Sequence, residues 1–407
     1  MPMTDAVIIG AGAAGCMAAV FAARYGKSVT IFERNANIGR KLRITGKGRC
    51  NVTNNSPMEE HMKNIPVNSR FMYSSFAMFG AEDTMAFFEE LGVPLKTERG
   101  NRVFPVSDNA EDIVDALYRE MKRLGVKIVH KRVNSLILED GRCCGVFADG
   151  KEYRSGSVLI ACGGLSYPKT GSTGDGYSLA ESAGHTITEL KPSLVPIVSG
   201  DKYCAELMGL SLRNVTLKLY DGKKVIFSEL GEMLFTHFGV SGPLVLSAGS
   251  HIRKMQPNRY SFKIDLKPAL SAEQLDSRIQ RDFAENLNRD FPNGIRKLLP
   301  AKLIPVIIKL SGIEPERKIN SITKEERRRF GKLIKAFPVS IKGFRPIDEA
   351  IITSGGVSVK EIDPKTMESK LTEGLYFAGE VIDVDAYTGG FNLQIAFSTA
   401  YAAALYM

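Results

Sequence analysis

Short apolar runs that end in glycine recur along this chain, and their spacing sets the reading of its fold. Asp5-Ala-Val-Ile-Ile9 is almost wholly apolar, which predicts a strand buried on both faces. It runs directly into Gly10-Ala-Gly12-Ala-Ala-Gly15. The stretch from Ala13 to Tyr25 is dense in Ala18, Ala19, Ala22 and Ala23, predicting a closely packed helix that ends at Gly26. Ser28-Val-Thr-Ile-Phe32 then predicts a second strand. Farther on, Ala81 to Leu91 and Ala110 to Leu124 carry the periodicity of amphipathic helices. Lys127–Val129, Val133–Leu138 and Cys144–Phe147 read as strands, with a hairpin turn at Asp140-Gly141. The apolar run Val158-Leu-Ile-Ala-Cys162 brings the chain back into a strand before Gly163-Gly164.

The texture changes near Lys191. Leu194–Val198, Val215–Tyr220, Lys224–Phe227 and Tyr260–Leu266 read as a small antiparallel unit, turned at Asp221-Gly222. Ser271-Ala-Glu-Gln274 and Thr323-Lys-Glu-Glu326 are capping boxes that open two helices. Arg296 to Leu310 is a third helical segment, broken near Pro300 and Pro305. The expectation is an α/β protein: a discontinuous Rossmann-like domain over residues 1–191 and 341–407, holding an insert over 192–340. The insert is β over about 192–268 and helical over about 270–340.

Length supports this division, since 407 residues exceed one ordinary domain. Six cysteines without a C-x-x-C suggest neither a disulfide framework nor a metal or dithiol site. No apolar run is long enough to span a bilayer and the first motif begins by residue 10, so a cytoplasmic location is expected. The net charge of +9 calls for an anionic ligand or partner, or for an excess spread over solvated faces. The alternating run Lys324-Glu-Glu-Arg-Arg-Arg329 reads as such a face.

The glycines of the first turn each have a mechanical role. Gly10 permits the turn, Gly12 lets the backbone approach a pyrophosphate, and Gly15 brings helix against strand. Glu33, 18 residues beyond Gly15, stands where a ribose 2′-hydroxyl is held and a 2′-phosphate repelled, so FAD or NAD fits. The segment Gly39 to Asn51 packs three glycines and five basic residues into thirteen positions and reads as a loop for a pyrophosphate and a flavin edge. Late in the chain, Gly374-Leu-Tyr-Phe-Ala-Gly379-Glu380 precedes Thr388-Gly-Gly-Phe-Asn-Leu-Gln394 and a small-residue helix. Its N-terminus suits the pyrimidine edge of a flavin. Such distant contacts favour the longer cofactor, FAD. The residues expected to hold it are Gly10, Ala11, Gly12, Ala13, Ala14, Gly15, Glu33 and Arg34; Gly39, Arg40, Lys41, Gly48, Arg49, Cys50 and Asn51; Val133, through its backbone to adenine; and Ala161, Gly163, Gly379, Glu380, Gly390, Asn392, Leu393 and Gln394. No metal site is expected.

These motifs resemble one family over essentially the whole chain. The carriers are the Gly10–Gly15 turn, Gly46-Lys-Gly-Arg-Cys-Asn51, Gly163-Gly-Leu-Ser-Tyr-Pro-Lys-Thr-Gly171 with Gly174-Asp-Gly176, and Phe235-Thr-His-Phe-Gly239 with Ser241-Gly-Pro243. Gly355-Gly356, Thr366-Met-Glu-Ser369 and Gly379 through Gln394 complete the set. The chain is similar to the BaiN-like FAD-dependent oxidoreductases, also described as NAD(FAD)-utilising dehydrogenases or aminoacetone-oxidase-type enzymes. The resemblance implies a glutathione-reductase-type FAD domain interrupted by an insert, with FAD bound non-covalently. Ala386 departs from the glycine expected before Tyr387, which stiffens that turn.

Candidates to act over a flavin are His237 in the insert, Tyr167 and Lys169 after the Gly163-Gly164 turn, and Tyr387 beside Gly389-Gly390; each has a purely structural alternative. Cys50 has no partner cysteine nearby in sequence for a disulfide-reductase mechanism. No second G-x-G-x-x-G follows a strand, so NAD(P)H, as the transient electron donor, is expected to dock in the substrate's own cleft. The expected activity is reduction of an unsaturated or carbonyl-conjugated small molecule. The alternatives are an amine oxidase that makes hydrogen peroxide and an RNA-associated flavoprotein. A small molecule rather than nucleic acid is the expected partner; a contiguous basic surface would reverse that expectation.

Overall fold

The computed structural model describes residues 4–252 and 254–407. The chain divides into two compact units. One runs through Ser193 and resumes at Pro346; the other is Leu194–Arg345.

The first unit opens with β1 (Thr4–Ile9), α1 (Ala13–Arg24) and β2 (Val29–Phe32). Ala6 to Ile9 and all of β2 are buried, as unbroken apolar strands require. After α2 (Ala81–Glu90) and α3 (Ala110–Arg123) come β3 (Lys127–Val129), β4 (Val133–Glu139), β5 (Arg142–Ala148) and β6 (Lys151–Ile160). Asp140 and Gly141 both have positive φ, 49° and 78°, the geometry of the tight hairpin between β4 and β5. α4 (Asp175–Ser182) closes this half.

The second unit contains β7 (Ser211–Asp221), β8 (Lys224–Thr236), β9 (Tyr260–Asp265), α5 (Ala272–Ala284), α6 (Ile304–Ser311), α7 (Lys324–Lys335) and β10 (Phe337–Ser340). Its seven-stranded antiparallel sheet runs β10-β9-β7-β8, then Gly239–Ser241, Ile197–Val198 and Gly343–Phe344. Both capping boxes form: Ser271 with Gln274 opens α5, and Thr323 with Glu326 opens α7. The chain then returns to the first unit for β11 (Leu375–Phe377) and α8 (Phe391–Tyr406).

Three sequence expectations need correction. The glycine-rich basic segment is not all loop. Arg40–Ile44 forms a helix because its glycines lie outside it, Gly39 capping it with φ +64° and Gly46 following. Pro305 does not break α6. It lies in the helix's first turn, where a missing N–H costs nothing. The strand expected over Leu194–Val198 shrinks to Ile197–Val198, because Leu194 has φ +53° and Pro196 lacks a ladder donor.

Sheet order in the first unit is β3-β2-β1-β6-β5-β4, with β11 pairing β6. β1 is parallel to β2 and to β6, and β11 is parallel to β6. The register sets Ile9 opposite Phe32 and Ile160, and Phe377 opposite Ile160. The residues that follow these strands therefore emerge together: Gly10, Glu33, Ala161 and Ala378. Open α/β sheets place ligands at such carboxyl ends.

Candidate functional site

A cleft opens at those strand ends. Its walls are the Gly10–Ala14 turn, Glu33–Asn35, Arg40–Leu42, Lys131–Val133, Ala161–Gly163, Gly171–Ser172, Ala378–Glu380 and the first turns of α8. Of the residues singled out from sequence, Gly10, Ala11, Gly12, Ala13, Ala14, Glu33, Arg34, Arg40, Lys41, Val133, Ala161, Gly163, Gly379, Glu380, Asn392 and Leu393 line it.

The three glycines of the turn do different work. A Cβ on Gly15 would stand 1.8 Å from the Gly10 carbonyl oxygen, and one on Gly10 2.8 Å from the Ala161 oxygen. Both hold backbone against backbone. Gly12 is different: its φ of −84° and ψ of −161° are open to any residue, and a Cβ there would meet no protein atom within 4 Å. No protein atom requires glycine at position 12. A side chain would instead fill the cleft at the mouth of α1, where unpaired N–H groups and the helix dipole favour an anion.

Glu33 is buried at the end of β2. Its Oε2 accepts the Ala11 N–H at 3.0 Å, and its Oε1 accepts from Asn35 N and Nδ2 at 2.8 and 2.6 Å. Three of about four acceptor positions are used, leaving one for a hydroxyl donor. This cradle and acceptor fit a ribose and pyrophosphate, so the donor set matches an adenine dinucleotide. The cations around it are held in place. Arg40 donates to Asn35 Oδ1 at 2.7 Å, and Arg132 grips Asp175 at 2.8 and 2.9 Å with Arg34 on the same carboxylate. Burial would raise the Asp175 pKa, but the hydrogen bonds from Arg132 and Thr173 hold it below the ordinary carboxylate value.

On the opposite wall, Lys41 Nζ donates to Ser166 Oγ at 2.6 Å and pairs with Glu380 at 2.5 Å. Glu380 Oε1 accepts from Ser166 Oγ and from the Thr353 N–H, and Thr353 Oγ1 accepts the Leu165 and Ser166 N–H groups. This network ties the basic helix to the Gly163–Gly171 segment. Tyr167 follows, outside the cleft's lining, with φ +51°, an uncommon conformation for a bulky side chain, and burial raises its hydroxyl pKa. The Lys41 ammonium lies 5.9 Å from its ring centroid.

The structure does not bring the remaining sequence candidates into the lining. Gly39 faces Val114, and Arg49 is drawn away into ion pairs with Glu98 and Asp108 over the Phe104 ring. Cys50 is fully buried, its thiol pushed up to about 12 by desolvation. Gly15, Gly48, Asn51 and Gly390 are not among the lining residues; a Cβ on Gly390 would stand 2.3 Å from Thr53 backbone. Gln394 is wholly buried, accepting from Thr53 and Thr84 and donating to Phe79 O and Ser398. Lys169 is exposed in the turn Pro168–Thr170, and the Tyr387 N–H donates to Asn64 O. His237 lies in the other unit, exposed on the turn after β8, its ring 4.9 Å from that of Phe238.

Sequence reasoning missed Asn35, Thr45, Lys131, Arg132, Cys162, Ser172, Asp175, Ile351 and Ile352 in the lining. A signal existed for Asp175, within the Gly174-Asp-Gly176 motif. None existed for Ile351 or Ile352, which arrive from the far side of the insert. Among the described residues no helix is long and apolar enough to cross a membrane, and no cluster of three or more His, Cys, Asp or Glu could hold a metal.

A family model described as HI0933-like protein Rossmann domain matches residues 4–406. The chain is 33% identical to the 3-dehydro-bile acid delta(4,6)-reductase of Clostridium scindens, over 97% of each. It is 34% identical to the ribosomal RNA dihydrouridine synthase of Haemophilus influenzae, over 99% of this chain and 98% of that one. Among solved structures, 3-ketosteroid delta1-dehydrogenase from Sterolibacterium denitrificans is similar with a TM-score of 0.54 at 14% identity, covering 100% of this chain and 99% of that one. That likeness speaks to fold alone.

Proposed function

The chain belongs to the HI0933-like Rossmann family of FAD-dependent oxidoreductases, and on that footing we propose that it saturates a carbon–carbon double bond conjugated to a carbonyl. The substrate is a small organic molecule and the electron donor NAD(P)H. FAD, when bound, supplies the hydride chemistry. The chain's own residues bind, orient and hold protons.

The observation that carries the cofactor reading is Gly12, a glycine no protein atom requires, aimed into the cleft at the start of α1. In this reading the first N–H groups of α1 receive the pyrophosphate, and the free acceptor position of Glu33 receives a ribose hydroxyl. The Val133 backbone meets adenine. The first turn of α8 at Asn392 and Leu393 faces the pyrimidine edge, where its dipole favours negative charge. Arg40, outside any salt bridge among the described residues, offsets phosphate charge, while Arg34 and Lys41, paired with Asp175 and Glu380, contribute N–H donors to the lining. Gly39, Gly48, Arg49, Cys50, Asn51, Gly390 and Gln394 act indirectly in this reading, outside the lining. Tyr167 is our candidate proton donor, because a half-buried tyrosine in a strained conformation beside Lys41 has geometry that ordinary turn stability does not ask for.

The double-bond reading draws on one relative. The name of the Clostridium scindens relative describes reduction at the delta(4,6) positions of a 3-dehydro-bile acid. Anaerobic addition of NADH or NADPH to the purified yellow protein tests the donor. The visible flavin band should bleach and recover on adding an electron-poor enone. A band that stays oxidised with both nucleotides removes the nicotinamide reading.

A further inference from the structure

The end of β2 carries a second polar side chain, Asn35, two residues beyond Glu33 and half-buried in the lining of the cleft. Each of its polar groups is engaged. Its backbone N–H and its Nδ2 both donate to Glu33 Oε1, at 2.8 and 2.6 Å. Nδ2 also donates to the Thr170 carbonyl at 3.2 Å. Oδ1 accepts from Arg40 Nη1 at 2.7 Å, and the backbone carbonyl accepts from His130 Nδ1 at 2.8 Å. One residue thus ties the end of β2 to the helix Arg40–Ile44, to the residue after β3 and to the turn Pro168–Thr170. Gly171 leaves the room this needs, since a Cβ there would stand 2.5 Å from Asn35 Nδ2.

These partners allow the amide a single orientation. Flipped, it would set its oxygen against the Glu33 carboxylate and the Thr170 carbonyl, and its NH2 against a guanidinium. The orientation in turn decides which atom of Glu33 is open. A carboxylate oxygen has about two acceptor positions. Oε1 fills both, with Asn35 N and Nδ2, whereas Oε2 fills one with the Ala11 N–H at 3.0 Å and keeps the other. Ala11 belongs to the Gly10–Gly15 turn, so the open oxygen is the one tied to that turn. All three donors are neutral N–H groups, and the carboxylate keeps its negative charge. Arg40, bound to Asn35 Oδ1, is held one amide away from that carboxylate rather than on it.

We propose that Asn35 is the positioning residue of the adenosine site: it aims Glu33 Oε2 at the vicinal hydroxyls of the adenosine ribose and holds Arg40 off that carboxylate. The inference rests on the FAD reading and names the atom that recognises the adenylate half of the cofactor. Aspartate is the instructive replacement. It has the shape of asparagine, but it would set an oxygen where Nδ2 now meets Glu33 Oε1.

The test strips the protein of flavin and titrates it, by quenching of flavin fluorescence, with FAD and with an FAD analogue built on 2′,3′-dideoxyadenosine. The parent should bind the analogue at least about tenfold more weakly than FAD, one charge-assisted hydrogen bond. Asn35→Ala should bind FAD at least about tenfold more weakly than the parent does, yet distinguish FAD from the analogue by no more than about threefold. Asn35→Asp, which keeps the volume of the side chain, should lose at least as much affinity for FAD. A purely structural role would weaken both ligands alike. If Asn35→Ala holds FAD as tightly as the parent, or loses both ligands equally, the inference falls while the FAD reading stands. A parent that binds the two equally overturns the ribose contact and the inference with it. A parent that takes up neither overturns the FAD reading itself.

Discussion

The two units balance their charge differently, although ion pairs form in both. In the unit that holds the cleft, basic side chains are consumed by acids: Arg24 by Glu90 and Glu120, Arg43 by Glu111, Arg49 by Glu98 and Asp108, Lys41 by Glu380. In the insert, the row Lys324, Arg328 and Lys332 on α7 is exposed and makes no salt bridge among the described residues, although Arg328 acts through space on Asp276. Paired charges fix a geometry, and here they set the walls of a cleft that asks for rigid donors. Exposed charges outside a salt bridge add little to stability.

The sharpest way to break this comparison is inside the cleft. Gly12→Leu adds a side chain where no protein atom stands, so the fold should survive with its thermal midpoint nearly unchanged. The FAD content of the purified protein should fall to near zero. Gly15→Ala is the control: its methyl meets the Gly10 oxygen at 1.8 Å, so it should lower the midpoint itself. If Gly12→Leu keeps its flavin, the cradle assignment is wrong. Next in size, Tyr167→Phe should cut turnover by about 10²- to 10⁴-fold while leaving flavin reduction by nicotinamide at the parent rate. Rapid-mixing kinetics separates the two half-reactions, and an equal loss in both would make Tyr167 structural.

The paired side also carries a pH signature. Glu120 is buried beside Arg123 and Arg24, and hydrogen bonds from Arg123 lead the effects that lower its pKa to about 2. A depressed carboxylate stabilises the fold fully above its unfolded value near 4.5, and that contribution is lost as pH falls toward 2. Glu120→Gln should therefore cost about 2 kcal/mol at neutral pH, with partial solvent exposure discounted. The gap from the parent should close on acidification through that window. Denaturant melts at pH 7 and pH 3 measure both, and a gap that stays constant would remove the ion pairs from the stability account.

How much of this was legible in the sequence follows from how local each feature is. The Gly10–Gly15 turn, Glu33 and both capping boxes are short-range patterns: both boxes form, and the turn and Glu33 stand together at the cleft. The cleft's far wall is not local. Asp175 reaches it through Arg132, 43 residues away, and Glu380 through Lys41, 339 residues away. Gln394 shows the reverse error. Its motif position suggested the cofactor, yet its amide is spent on Thr53, Thr84, Phe79 and Ser398, contacts no linear pattern encodes. Charge segregation was readable by counting, but only once the unit boundaries at Ser193 and Pro346 were known.

The smallest effect is the one that separates the two kinds of charge. Arg328 is exposed and makes no salt bridge among the described residues, acting on Asp276 only through space. Arg328→Gln should change unfolding free energy by no more than about 0.5 kcal/mol, within the ordinary range for surface substitutions. It exchanges one good helix former for another, so the frame of α7 should stay intact. Set beside the loss expected for Glu120→Gln, that near-silence is itself informative. A cation whose removal costs the fold nothing is not held there by the fold. If Arg328→Gln instead destabilised as much as Glu120→Gln, the row on α7 would be part of the insert's architecture, and the contrast between the units would vanish.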